Sequence, residues 1–127
     1  EGKQIVLGDD KGRIWIWDFE EETTVKELRP AAEEEQAVFE MKLSPDGRSL
    51  VCSVRNQLLF YDLETWELTR TLDFKHSSRL FTFLPDGKHL LCEGDWPEGV
   101  PLHSDWVRTP KRPLCVWNLK GELKAVF

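Results

Sequence analysis

The chain has 127 residues, of which 40% are hydrophobic and 31% charged, with a formal net charge of −6. That composition excludes a disordered chain and a membrane-spanning one, since no apolar run approaches the roughly 18 residues a helical span needs. Residues 1–36 hold 11 acidic and 5 basic side chains, while the remainder is balanced. A chain with no basic face is a poor partner for the phosphates of nucleic acid, so nucleic-acid and membrane partners are not expected. The acidic runs at 20–22 and 33–35 read as solvated loops.

In chain order, short apolar runs alternate with turn signals. Strands are expected near 4–7, 13–18, 24–29, 37–43, 49–54, 57–62, 67–72, 79–84, 89–93, 113–118 and 122–127. The run Ile14-Trp15-Ile16-Trp17 is apolar throughout, as a strand buried on both faces would be. Residues 30–43 have helical propensity in their first half, but the second half matches a strand 40 residues later, and the strand is the expectation. Pro45-Asp46-Gly47 and Pro85-Asp86-Gly87 are turn signals with a mechanism: proline presets φ, aspartate bonds nearby backbone, and glycine accepts positive φ. They stand 40 residues apart, and the same offset maps Leu50, Val51 and Cys52 onto Leu90, Leu91 and Cys92.

A second mark recurs. Trp17-Asp18, Tyr61-Asp62 and Trp117-Asn118 each end a strand, at spacings of 44 and 56. Self-similarity at such a period is the signature of a repeat architecture. With its turns and strand ends so placed, the sequence resembles the WD40 repeat family of β-propellers. The residues that carry the likeness are the three Trp-Asp-like ends, "LSPDGR" and "LPDGK" at the turn between first and second strands, and "LETWELTRTLDFKH" in the fourth-strand region, with His76 near the family's Gly-His position. The resemblance spans essentially residues 1–127 and implies an all-β fold of antiparallel, four-stranded blades. Residues 1–30 would be a blade lacking its first strand, 37–74 a second blade, and 78–127 a third with a long insertion at 93–113. In the family's hydrogen-bonded His, Ser/Thr, Asp and Trp set, Lys11 and Arg55 occupy the aspartate positions and Tyr61 replaces a tryptophan, so that network is not expected here.

A closed propeller needs about four to eight blades, and this chain supplies about two and three quarters. The ring is therefore incomplete within the chain. Either the chain is a segment of a longer propeller or several copies close a ring together; the missing first strand and the absent initiator methionine favour the segment.

Chemistry has little to stand on. His89 lies at a strand start and His76 in a connecting segment, both read as structural. His103, Ser104 and Asp105 are neighbours, and neighbours in an extended segment point apart, so no triad is expected. The spacing of His103, Asp105 and Cys115 matches no metal pattern, and Gly8 and Gly12 suit strand and turn positions rather than a phosphate loop. Cys52, Cys92 and Cys115 each stand in an apolar run, read as buried free thiols of a cytoplasmic protein. Trp15, Trp17 and Trp117 are expected to pack within or between sheets. Trp66 occupies a turn position where the family often has glycine and is expected to be exposed.

What the repeat does not explain is the insertion, which would emerge on the face that the resembled family uses for partners. It carries Trp96, His103, Asp105, Trp106, Arg108, Lys111 and Arg112, and tryptophan and arginine are enriched at interface hot spots. The alternative is that Trp96 and Trp106 fold back and cap the stack. The expected function is a non-catalytic protein–protein interaction scaffold without cofactor. Alternatives are a ligand-binding or enzymatic propeller whose site lies in blades outside this chain, and a structural spacer. At the inner ends of the first strands only Glu40, Lys42 and Arg79 would serve a ligand site.

Overall fold

The computed structural model describes residues 3–29, 38–75, 80–94 and 113–127. They form eleven strands and no helix. These are β1 (Gln4–Gly8), β2 (Ile14–Asp18), β3 (Thr23–Leu28), β4 (Val38–Leu43), β5 (Ser49–Val54), β6 (Gln57–Asp62), β7 (Leu68–Asp73), β8 (Phe81–Phe83), β9 (His89–Glu93), β10 (Leu114–Asn118) and β11 (Leu123–Val126). Each expected strand is present, and β8 is shorter than its apolar run suggested. The strands pair in sequence order into three antiparallel meanders: β1-β2-β3, β4-β5-β6-β7 and β8-β9-β10-β11.

The turns explain the meanders. At the β4–β5 turn, Asp46 Oδ1 accepts from the Arg48 amide at 3.0 Å and from the Ser44 hydroxyl at 2.5 Å, while the Gly47 amide donates to the Ser44 carbonyl at 2.8 Å. At the β8–β9 turn, Asp86 Oδ1 accepts from the Lys88 and His89 amides at 2.9 and 3.1 Å, and Gly87 donates to the Leu84 carbonyl at 2.9 Å. Gly47 and Gly87 have φ of 70° and 65°, a conformation in which a Cβ costs free energy. The 40-residue offset is thus a repeat of hydrogen bonds as well as of letters.

The second mark repeats in the same way. Asp18 Oδ1 accepts from the Glu20 and Glu21 amides, both at 3.0 Å; Asp62 Oδ1 accepts from Glu64 and Thr65 at 2.8 and 2.9 Å; Asn118 Oδ1 accepts from Lys120 and Glu122 at 3.0 and 2.9 Å. Each sheet also shifts register immediately before the aromatic residue, between Ile16 and Trp17, Phe60 and Tyr61, and Val116 and Trp117. A bulge at the same place in three strand pairs adds the same local twist to each sheet.

Strand alternation decides the core. In the middle sheet, Leu50, Cys52, Val54, Leu59 and Tyr61 face the first sheet and bury Ile14, Ile16 and Leu28. Val51, Leu58, Phe60, Leu72 and Phe74 face the third sheet and bury Phe81, Leu90 and Cys92. The apolar runs of β5 and β6 follow from this: both faces of the middle sheet are covered, so neither set of alternate positions is given over to polar residues, and Ser53 is the buried polar side chain of β5. Each such side chain contributes about 1.5–3 kcal/mol of burial. Trp66 departs from expectation. It does take the left-handed conformation, with φ of 59°, but its side chain is half-buried against the first cluster rather than exposed. The three cysteines are buried and form no disulfide among the described residues, in keeping with their apolar neighbours.

Candidate interaction face

The meanders place the β1–β2 turn, the β5–β6 turn and the β9–β10 connection at one end of the stack. Inter-sheet contacts fix that common orientation. The Val38 amide at the start of β4 donates to the Asp9 carbonyl at 3.4 Å, and at the opposite end a Cβ on Gly87 would meet the Pro45 ring at 3.3 Å.

In the β1–β2 turn, Asp9 is the organising residue. Its Oδ1 accepts from the Lys11 and Arg13 amides at 3.0 and 2.7 Å, and its Oδ2 from Arg13 Nε at 2.8 Å. Burial alone would raise this carboxyl, but the Arg13 and Lys11 hydrogen bonds and the guanidinium charge outweigh it and hold the group below the usual carboxylate range. Arg13 in turn lies 4.8 Å above the Trp15 ring.

Only Arg55 and Asn56 separate β5 from β6. Arg55 takes φ of 55°, and Asn56 clamps the end of β7, donating Nδ2 to the Phe74 carbonyl at 2.6 Å and accepting the Phe74 amide at 2.8 Å. In the third sheet Gly94 and Pro113 stand where Val54 and Gln57 do, and are the feet of the insertion. The Gly94 amide donates to the Pro113 carbonyl at 3.0 Å, continuing the ladder one pair beyond Glu93 and Leu114. Both feet are buried. A Cβ on Gly94 would lie 2.7 Å from Cys115 Sγ and 3.6 Å from the Phe74 ring, so only glycine fits. Phe74 also meets Trp117 edge-on, with centroids 6.2 Å apart. The feet are therefore pinned to each other and to the middle sheet. Trp96, His103, Asp105, Trp106, Arg108, Lys111 and Arg112 lie outside the described residues, as do His76 and Arg79.

Glu40 and Lys42 have a use that the sequence did not disclose. Lys42 Nζ donates to the Phe81 carbonyl at 2.8 Å, Glu40 Oε2 accepts the Phe81 amide at 3.1 Å, and the two side chains pair at 3.1 Å. Together they occupy the free backbone edge of β8, where an unpaired strand would otherwise offer itself to another chain. An open cleft of about 300 Å³ beside them is lined chiefly by Leu80, Phe81, Leu91 and Leu114.

Elsewhere, His89 Nδ1 lies 2.5 Å from Asp86 Oδ2, bracing the β8–β9 turn at the end opposite the insertion. Burial pushes the Cys52 thiol up to about 12, which keeps it protonated and unreactive near neutral pH. Among the described residues no group of three His, Cys, Asp or Glu side chains is placed to hold a metal ion, and no helix is long and apolar enough to cross a membrane. No protein-family model matches the chain, and no curated protein matches it either.

Proposed function

We propose that this chain is a segment of a WD40-like β-propeller serving as a non-catalytic protein–protein interaction scaffold in the cytoplasm, with the β9–β10 insertion as its partner-binding element. The observation that carries the reading is the contrast between equivalent connections. Arg55 and Asn56 suffice in the middle sheet, whereas residues 95–112 stand between feet held 3.0 Å apart in the third. A connection far longer than its geometry requires, on pinned feet, is how a rigid scaffold presents a variable loop. Its Trp96, Trp106 and Arg108 are of the types that dominate interface energies, and its prolines reduce the entropy lost on docking.

The propeller part of the reading is supported by features that recur from sheet to sheet: the Pro-Asp-Gly turn in two sheets, and the bulge with its aromatic residue and Asp or Asn cap in all three. The competing site at the inner edge has less behind it, because Glu40 and Lys42 are spent on the backbone of β8. Trp106→Ala and Arg108→Ala test the proposal. Both variants are expected to keep the parent's thermal midpoint while losing proteins that the parent retains in quantitative affinity capture. Unfolding of either variant instead assigns the loop to capping the stack.

A further inference from the structure

The 40-residue offset aligns the middle and third sheets, but they differ at a buried pair. In the middle sheet Cys52 opposes Leu59, and its thiol donates to the Leu59 carbonyl at 3.9 Å. In the third sheet Cys92 stands where Cys52 does, but it opposes Cys115. Directly opposed residues of an antiparallel pair project from the same face. Cys92 and Cys115 are 2% and 1% exposed, so two buried thiols are neighbours across the β9–β10 ladder. Cys92 belongs to the cluster that holds Phe74 and Phe81, and Gly94 borders both Cys115 Sγ and the Phe74 ring. Both thiols therefore lie close under the feet of the insertion.

Their separation follows from the ladder, in which hydrogen-bonded and non-hydrogen-bonded pairs alternate. The Gly94 amide donates to the Pro113 carbonyl, whereas Leu114 exchanges its bonds with Phe127 on the other side. Cys92 and Cys115 are thus the next hydrogen-bonded pair inward from the feet. Such a pair holds its Cα atoms about 5.5 Å apart, inside the range of about 4.4–6.8 Å that a disulfide spans. Its Cβ atoms stand about 4.5–5.5 Å apart, against about 3.8 Å in a relaxed disulfide, so a bond here must draw the strands together. A bond closed against that resistance is readily reduced, which is the character of a reversible link rather than a permanent staple. Access comes from the neck. Pro113 has no N–H, so the outermost pair is closed by one hydrogen bond where an interior pair has two, and local opening begins at such an end.

We propose that Cys92 and Cys115 form a reversible dithiol–disulfide pair through which an oxidant covalently locks the neck of the insertion. With hydrogen peroxide as the oxidant, one thiolate attacks a peroxide oxygen, the O–O bond breaks, and a sulfenic acid forms as hydroxide leaves. The proton given up by that thiol converts the hydroxide to water. The second thiol then attacks the oxidised sulfur, the S–O bond breaks, and a second water leaves as the S–S bond closes. The two thiols lose two electrons and two protons, and one peroxide becomes two waters. A thiol reductant reverses the link by exchange. Cys52 takes no part, because no thiol opposes it on either neighbouring strand. In the reducing cytoplasm proposed above, a disulfide is of this transient kind. The inference rests on the β9–β10 ladder and not on partner binding by the insertion.

The test exposes the folded 127-residue chain to hydrogen peroxide, removes the oxidant, then unfolds and alkylates the chain for peptide mass spectrometry. The expected product is a peptide pair joined through Cys92 and Cys115, with Cys52 alkylated, and dithiothreitol should undo it. Hydrogen exchange on the oxidised chain should show the Gly94 and Leu114 amides exchanging at least about tenfold more slowly than in the reduced chain. Cys115→Ser should lose both the link and the slowing, and the result on the parent stands without that variant. Recovery of all three cysteines alkylated overturns the proposal, as does a link that takes Cys52 or one that forms only when peroxide is added in urea. A link with unchanged exchange at Gly94 overturns it too, because the neck is then not locked. Loss of partner capture in the insertion variants, with the link intact, would concern the interaction reading only.

Discussion

Asp18, Asp62 and Asn118 do one job with two chemistries. Each side-chain oxygen accepts two backbone amides in the turn after its strand, and the two aspartates are held below the ordinary value of 3.8. For Asp18 the Glu21 amide is the main cause; for Asp62 it is the Thr65 amide, followed by that of Glu64. Asp46, through the Ser44 hydroxyl first, and Asp86, through the Lys88 amide first, are lowered likewise. A carboxyl depressed in the folded chain stabilises the fold above its unfolded value and surrenders that contribution as pH falls through its folded value. The urea midpoint should therefore hold steady from neutrality down to the ordinary carboxylate range and fall below it. Asp62→Asn supplies the acceptor that Asn118 uses naturally, so it should make the acid decline shallower with little change at pH 7. A pH series of urea unfolding curves on parent and variant checks both points, and an identical acid decline in the two would contradict this assignment.

At the scale of elements, strands and turns were legible because their determinants are local. Pro45-Asp46-Gly47 and Pro85-Asp86-Gly87 carry their own φ preferences and hydrogen-bonding groups, and the apolar runs of β5 and β6 announce a sheet covered on both faces. What the sequence hid depends on registry between distant segments. The Glu40 and Lys42 bonds to Phe81 span about forty positions and have no local signature. Trp66 is misplaced for a related reason: its glycine-like backbone is foreseeable, but its side chain packs on a cluster that the first and middle sheets build between them. The insertion's residues were found by type and its feet by offset, since Gly94 stands where Val54 does, but the close approach of Cys115 and Phe74 was not readable. Gly94→Ala is expected to cost about 1–3 kcal/mol through overpacking of that neck. Chemical denaturation measures it, and a cost below about 0.5 kcal/mol, the range of an ordinary surface change, would show that the neck is looser than its distances imply.

On the proposed reading, the whole molecule is a stack of three sheets, held by two apolar junctions, and a connection that the stack carries without needing. The junctions lie between Ile14, Ile16 and the middle sheet, and between Phe60, Leu58 and the third. Because Gly94 and Pro113 are already hydrogen-bonded neighbours, residues 95–112 can be replaced by Asn-Gly, a pair suited to a two-residue hairpin turn, without moving either foot. Calorimetry of that shortened chain at the parent's concentration is the most direct measurement. One cooperative transition with a midpoint within about 5 °C of the parent is the predicted result. A midpoint lower by more than about 10 °C, or loss of the single transition, would contradict the account by making the insertion part of what holds the sheets together.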